Sequence, residues 1–141
     1  MRILSLDGGG YLGLATAAFI EESERHFGKS FHERFDLFCG TSTGSIIALA
    51  LASGLSGQRI RRIYEDFGPK VFQNGFPLMR EIRRLCGLFI SRYGNGPLRK
   101  ALDEAFGEIT LGDIFNKNKR ALIAAYSITS GRPRIFKTDH G

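Results

Sequence analysis

The 141-residue chain reads as an α/β protein: a three-layer α/β/α sandwich around a mainly parallel sheet, built as one domain over residues 1–141. Three observations predict this. Short apolar runs alternate with helical periodicities, the pattern of strands joined by crossover helices. Twice a strand-like run breaks at a glycine-rich turn and resumes as a helix, at Asp7-Gly8-Gly9-Gly10-Tyr11-Leu12-Gly13 and at Gly40-Thr41-Ser42-Thr43-Gly44. The composition, 43% hydrophobic and 24% charged, is that of an ordinary globular protein, and no repeat or linker divides it.

The elements follow in order. Residues 1–6 alternate apolar and polar as a strand does, and residues 14–27 form a helix with Leu14, Ala17, Ala18 and Ile20 apolar and Glu21, Glu22, Glu24 and Arg25 on a wetter face. Residues 35–39 read as a buried strand and 45–52, almost wholly apolar, as a buried helix. In residues 56–67, Ile60, Ile63, Tyr64 and Phe67 recur at i, i+3, i+4 and i+7, an amphipathic helix. Between 68 and 96 the pattern loosens at Pro69, Asn74-Gly75, Pro77, Gly87, Gly94 and Gly96-Pro97, with Phe72, Phe76 and Leu88 among the apolar residues between. That stretch suits either a mobile lid or acyl-chain lining, or short helices on the sheet. Residues 97–106 resume a helix through Leu98, Ala101, Leu102 and Ala105, residues 110–115 form a capped turn, and residues 119–129 and 134–138 supply two further strands.

Gly-x-Ser-x-Gly between strand and helix places a serine on a sharp turn. Gly40 and Gly44 remove bulk from that turn, and Ser42 stands at a helix N-terminus, where free N–H groups and the dipole favour a developing anion. Ser42 or Thr43 also suits a plain helix N-cap. The first glycine cluster completes a chemical pair, because acyl transfer needs backbone donors aimed at an oxyanion and glycines let the backbone approach that closely. The same cluster satisfies Gly8-x-Gly10-x-x-Gly13, the dinucleotide-binding fingerprint. That reading wants an acid at the end of the second strand. Asp36, 23 residues after Gly13, falls near the start of its strand instead, so a nucleotide-binding module leaves the serine motif idle.

These two motifs, in this order and spacing and each between strand and helix, resemble those of the patatin-like phospholipase family. The likeness is clearest over residues 1–54, and Arg134-Ile135-Phe136 resembles a family strand further on. It implies a lipid acyl hydrolase of phospholipase A type, using a Ser–Asp dyad without histidine on phospholipid or other acyl-lipid substrates, with no cofactor or metal. Carried over, Ser42 is the nucleophile, the amides of Gly8, Gly9 and Gly10 form the oxyanion hole, and Gly40 and Gly44 flank the elbow. Leu12 stands where the family usually has a basic residue, and the family's aspartate lies in a later Asp-Gly-Gly or Asp-Gly-Ala motif that this sequence lacks. Asp139-His140-Gly141 is the nearest counterpart, with His140 where a glycine is required. The resemblance thus implies an N-terminal portion of the domain, C-terminally incomplete and without its base, or an inactive interaction fragment. A Ser–His–Asp order leaves only His140, partnered by Asp66, Asp103, Asp113 or Asp139, and the penultimate residue of a chain usually frays. His26 and His32 read as surface residues.

Cys39 and Cys86 are the only cysteines, and Cys39 falls in a buried strand, so a disulfide framework is not expected. Ser5, Asp7 and the glycines break any leader-like apolar run, and residues 46–52 are too few to span a bilayer, which needs ~20. Together these predict a cytoplasmic protein. Residues 1–54 hold 4 basic and 6 acidic side chains, whereas 55–141 hold 16 and 8. The basic part, with Arg59, Arg61, Arg62, Arg80, Arg83, Arg84, Lys117, Lys119 and Arg120, suits either a solvated helix face or peripheral contact with an anionic membrane surface. No zinc-finger spacing or RNA-binding aromatic motif supports nucleic acid as a partner.

Overall fold

The computed structural model describes residues 1–72 and 95–138. Four strands, β1 (Ile3–Leu6), β2 (Leu37–Thr41), β3 (Arg120–Ser127) and β4 (Arg132–Lys137), lie side by side in chain order. The first three are parallel, and β4 returns antiparallel along β3. The sheet is therefore mainly parallel, as the alternation predicts. In register Leu6 pairs with Gly40 and Gly40 with Ile123, so β1 and β2 end nearly level, while β3 continues beyond both.

The helices are α1 (Gly13–Phe27), α2 (Phe31–Arg34), α3 (Thr43–Ser53), α4 (Gly57–Phe72), α5 (Asn95–Phe106) and α6 (Leu111–Asn116). One face of the sheet, carrying Leu4, Leu6, Phe38, Ala121 and Ile123, packs on α3, whose Ile47, Ala48 and Leu51 are almost fully buried. α3 is apolar all round because the sheet covers one side of it while α1 and α4 contact it elsewhere. α1 and α4 pack closely because Gly57 lacks a side chain: a Cβ there would lie 2.5 Å from the Glu21 amide nitrogen. The opposite face of the sheet, with Ile3, Leu37, Cys39, Leu122 and Ile135, is exposed or half-exposed, so the second helical layer is not among the described residues.

Several boundaries differ from the sequence expectation for physical reasons. β2 starts at Leu37 rather than residue 35, because residues 31–34 close a helical turn in which the Ser30 hydroxyl accepts the Glu33 amide and the Phe35 amide bonds Phe31. Asp36 then joins the β1 edge by backbone hydrogen bonding to Arg2, 2.8 Å from amide to carbonyl. α4 runs on through Gly68 and Pro69, where a break was expected; proline removes one helical donor without ending the helix. Residues 73–94, including the expected lid or acyl lining and Arg80, Arg83, Arg84 and Cys86, lie outside the described residues. Thr110 and Asp113 form a full capping box at α6. β4 begins at Arg132 and accommodates Pro133 because it has no further strand beside it among the described residues. Cys39 is half-buried on the open sheet face rather than enclosed, and what burial it has pushes its thiol up. No described helix is long and apolar enough to cross a membrane.

Four side chains that the sequence pattern leaves free for solvent instead make ties within the fold. Lys117 donates to the Ser53 carbonyl at 3.0 Å and Lys119 to the Phe35 carbonyl at 2.9 Å. His32, expected at the surface, donates from Nδ1 to the Leu51 carbonyl at 3.0 Å. Arg61 pairs with Glu21 and Glu65, which removes it from any free basic face.

Glu24 ties three helices. From α1, its Oε1 accepts the Phe31 amide of α2 at 2.8 Å and its Oε2 accepts the Gly57 amide of α4 at 2.7 Å. A carboxylate serving two helix N-termini at once is a charge-assisted cap. Glu24→Ala is expected to cost about 2 kcal/mol in urea unfolding, the order of one or two such bonds. Glu22→Ala, which removes an exposed pair with Arg25, should leave the unfolding midpoint in place.

Candidate active site

Both glycine turns lie at the C-terminal edge of the parallel strands, the edge where open α/β sheets place their ligands. β1 ends at Leu6 and leads into residues 7–9 and a 3-10 turn over Gly10–Leu12. β2 ends at Thr41, and α3 begins at Thr43, leaving Ser42 alone between them. Its backbone adopts φ 50° and ψ −128°, a left-handed conformation that a serine enters only under strain. The Ser42 side chain makes no capping bond, so the N-cap alternative is not what its hydroxyl does. Instead the side chain is exposed to solvent at the N-terminal end of α3.

The strained turn is held by close backbone approach. A Cβ on Gly44 would overlap the Leu6 carbonyl oxygen and sit 2.6 Å from that of Asp7. One on Gly8 would lie 2.7 Å from the Ser42 Cβ and 3.4 Å from its Oγ, so the first glycine turn backs directly on to the serine. The structure thus brings Gly8, Gly40, Gly44 and Ser42 together as the motifs suggest.

The donors are arranged differently from a bare amide cradle. The Gly8 amide donates to the Thr41 hydroxyl at 3.2 Å, and the Gly9 amide to the Thr43 hydroxyl at 3.2 Å. Gly10, at φ 60°, opens the 3-10 turn and has no hydrogen bond from its amide among the described residues. The two threonines flanking Ser42 therefore orient the turn; their symmetric placement in Gly-Thr-Ser-Thr-Gly was the only signal in the sequence.

Tyr64, on the apolar stripe of the amphipathic helix, has a polar role that the stripe does not reveal. From α4 it donates to the Thr43 carbonyl at 3.3 Å, pinning the first turn of α3, and burial pushes its phenol up to about 12. Beside it, α3, α4 and α5 enclose a narrow apolar cleft of about 40 Å³, lined by Thr43, Ile46, Ala50, Tyr64, Phe67, Leu98 and Leu102 among others.

No described carboxylate or imidazole hydrogen-bonds the Ser42 hydroxyl. His32 is committed to the far end of α3, and His26 packs edge-on to Phe27. Asp113 belongs to its capping box and Asp103 faces Arg99 on α5. Asp139 and His140 lie outside the described residues. Asp36 is at the opposite end of β2 from the glycine turns, where its carboxylate accepts the Arg2 amide at 2.6 Å; that bond holds it below its ordinary range. It cannot reach a ribose held by Gly8, Gly10 and Gly13, which removes the dinucleotide reading's acidic partner. No group of histidine, cysteine, aspartate and glutamate among the described residues could hold a metal.

Residues 4–139 match the patatin-like phospholipase family. The chain belongs to that family. A cGAMP-activated phospholipase of Pseudomonas aeruginosa is 35% identical over 141 residues, covering 99% of this chain and 40% of that protein. A second, from Vibrio cholerae, is 35% identical over 153 residues, covering 99% of this chain and 42% of that protein. Phospholipase A I of Arabidopsis thaliana is 46% identical over 78 residues, 55% of this chain and 6% of that protein. The chain thus spans about two fifths of the length of its bacterial relatives. Within this patatin-like chain, Leu12 is 75% exposed at the rim of the glycine turn, so the departure from the family's basic residue lies at the surface of the site.

Tyr64→Phe is expected to lose about 1 kcal/mol of stability, the usual worth of one hydrogen bond. Burial favours the neutral phenol, so the Tyr64 contribution is intact below pH 10 and disappears as pH rises through about 12. The stability difference between wild type and Tyr64→Phe, followed by denaturant unfolding from pH 9 upward, should therefore shrink across that window. A difference that stays constant would remove Tyr64 as the titrating group.

Proposed function

We propose that residues 1–141 form one α/β unit carrying the nucleophilic half of a lipid acyl hydrolase. Ser42 attacks the carbonyl carbon of a phospholipid or related ester, and its hydroxyl proton passes to a base. The developing oxyanion takes hydrogen bonds from the glycine turn, with the Gly10 amide available and the Gly8 and Gly9 amides exchanging their threonine oxygens for it. Collapse expels the alcohol, which recovers the proton. Water then cleaves the acyl-serine ester to free the fatty acid and the Ser42 hydroxyl. The observation that carries this reading is Ser42 itself: exposed, uncapped and strained at the start of α3, with Gly8 packed against its side chain. The names of the relatives support phospholipase chemistry for the family segment they share with this chain.

No described carboxylate or imidazole hydrogen-bonds the Ser42 hydroxyl, which supports a base outside the described residues. By the family resemblance it is an aspartate, supplied from elsewhere in the polypeptide or from a partner. A helix N-terminus and amide donors still raise the reactivity of Ser42, since a single oxyanion donor is typically worth ~10²–10³ in rate.

The test is intact-mass analysis after prolonged treatment with a fluorophosphonate, with the adduct mapped by peptide sequencing. One adduct on Ser42 is expected in the folded chain, absent from Ser42→Ala and from urea-unfolded protein. Labelling that survives Ser42→Ala, or no labelling of folded protein beyond the unfolded control, would overturn the assignment.

A further inference from the structure

We propose that the β3–β4 hairpin is a docking arm for an anionic phospholipid surface, set beside the catalytic edge so that lipid enters the Ser42 site from the membrane. The inference rests on the lipid-hydrolase reading above but on separate residues. β2 leaves the sheet at Thr41, which pairs with Ala124, and Ser42 follows at once. β3 does not stop there. Ala125, Tyr126 and Ser127 continue, paired only with Arg134, Pro133 and Arg132 of β4. At about 3.3 Å per residue this two-stranded ribbon extends ~10 Å past the strand end that carries Ser42.

The ribbon has little to stabilise it as it stands. Every residue of β4 is exposed, Tyr126 is 65% exposed, and Ile128 at the turn is 92% exposed. A lone pair of strands is marginal in water, and an isoleucine at a hairpin tip gains nothing there for folding. Arg132 and Arg134 stand on β4 just behind the tip and have no ion-pair partner among the described residues; Arg59 and Arg62 of α4 have none either but lie away from the hairpin in the chain, whereas Arg61, Lys117 and Lys119 are committed within the fold. An apolar tip with two guanidinium groups set behind it on β4 matches the layering of a bilayer surface: the aliphatic and aromatic groups enter the headgroup–acyl boundary, and the cations meet lipid phosphates. Leu12, on the β1 turn at the same edge of the sheet and beyond β2, adds another exposed apolar residue.

The charge complementarity selects the partner. An apolar protein groove would use Tyr126 and Ile128 but leave Arg132 and Arg134 without purpose, whereas a negatively charged lipid surface uses all four. Each arginine near such a surface should contribute roughly fivefold to binding.

The decisive experiment is flotation of the 141-residue chain with vesicles of phosphatidylcholine containing 30% phosphatidylglycerol, alongside vesicles of phosphatidylcholine alone. Wild type should float with the anionic vesicles and only weakly with the neutral ones. Arg132→Gln with Arg134→Gln should bind at least tenfold less well, and Ile128→Ser should weaken binding while leaving the circular dichroism spectrum unchanged, because that side chain touches little in the fold. Binding that ignores vesicle charge, or that survives both sets of substitutions, overturns the proposal. Sedimentation showing a dimer that these substitutions dissociate also overturns it, in favour of a contact between copies. Fluorophosphonate labelling of Ser42 in the same samples keeps the two readings apart. Labelled protein that fails to float sinks the docking arm alone, and unlabelled protein that floats through the arginines sinks the hydrolase alone.

Discussion

The close contact between two glycine turns governs the rest of the molecule. Gly44, the second residue of α3, lies against the carbonyls of Leu6 and Asp7, and Gly8, just past β1, lies against Ser42. A methyl group on either would meet backbone or the serine itself at well under van der Waals distance. These contacts bring the N-terminus of α3 against the end of β1, so that two loops from separate strand–helix units share one space. They also hold Ser42 at a positive φ, a conformation costing of order 1–3 kcal/mol that persists only when its surroundings determine it several times over. Here the determinants are the packed glycines, the threonine hydroxyls on the Gly8 and Gly9 amides, and Tyr64 on the Thr43 carbonyl.

α3 shows how the fold separates the two ends of a helix dipole. Its C-terminal carbonyls are well supplied: Leu51 accepts from His32, Ser53 accepts from Lys117, and Gly54 closes the end in a left-handed conformation. Its N-terminal end faces an exposed, uncapped serine. A helix whose C-terminal carbonyls are met by side-chain donors and whose other end is left accessible presents its positive end to whatever anion forms at Ser42. Lys117 is thereby explained as a partner of α3, and Lys119, which donates to the Phe35 carbonyl, as a tie to the chain entering β2.

Most of the site was legible in the sequence because it is written in short-range terms. Gly-Thr-Ser-Thr-Gly and Asp-Gly-Gly-Gly specify backbone that only small residues permit, and the apolar runs before and after them specify strand and helix. The elements that were displaced depend on information that local pattern does not carry. The α2 turn takes its cap from Ser30 and a further amide partner from Glu24, seven residues before Phe31. α4 passes through Gly68 and Pro69 although both argue for a break. His32, Lys117 and Lys119 look solvated because their partners are backbone carbonyls 19, 64 and 84 residues distant. The fate of the Gly8 and Gly9 amides was hidden for the same reason, since their acceptors lie 33 and 34 residues away.

Register, finally, separates the roles of residues that composition treats alike. β3 and β4 are no more apolar than β1, yet the pairing of Thr41 with Ala124 makes the deep half of the hairpin part of the sheet and leaves its outer half beyond the ends of β1 and β2. Ala121 and Ile123 are accordingly core, while Tyr126, two positions on, is mostly exposed. A one-residue shift in that pairing would exchange the faces of the whole strand. What fixes it is the buried end: the Thr138 amide donates to the Ala121 carbonyl, the Thr138 hydroxyl accepts the Ala121 amide at 3.1 Å, and Arg120 bonds the Asp36 carbonyl at 3.0 Å. The ribbon is thus anchored far from the site and, among the described residues, left uncovered beside it. An arrangement that served stability alone would bury the tip or shorten the strands. A long, uncovered hairpin next to a strained and accessible serine is consistent instead with a surface kept for something outside the fold.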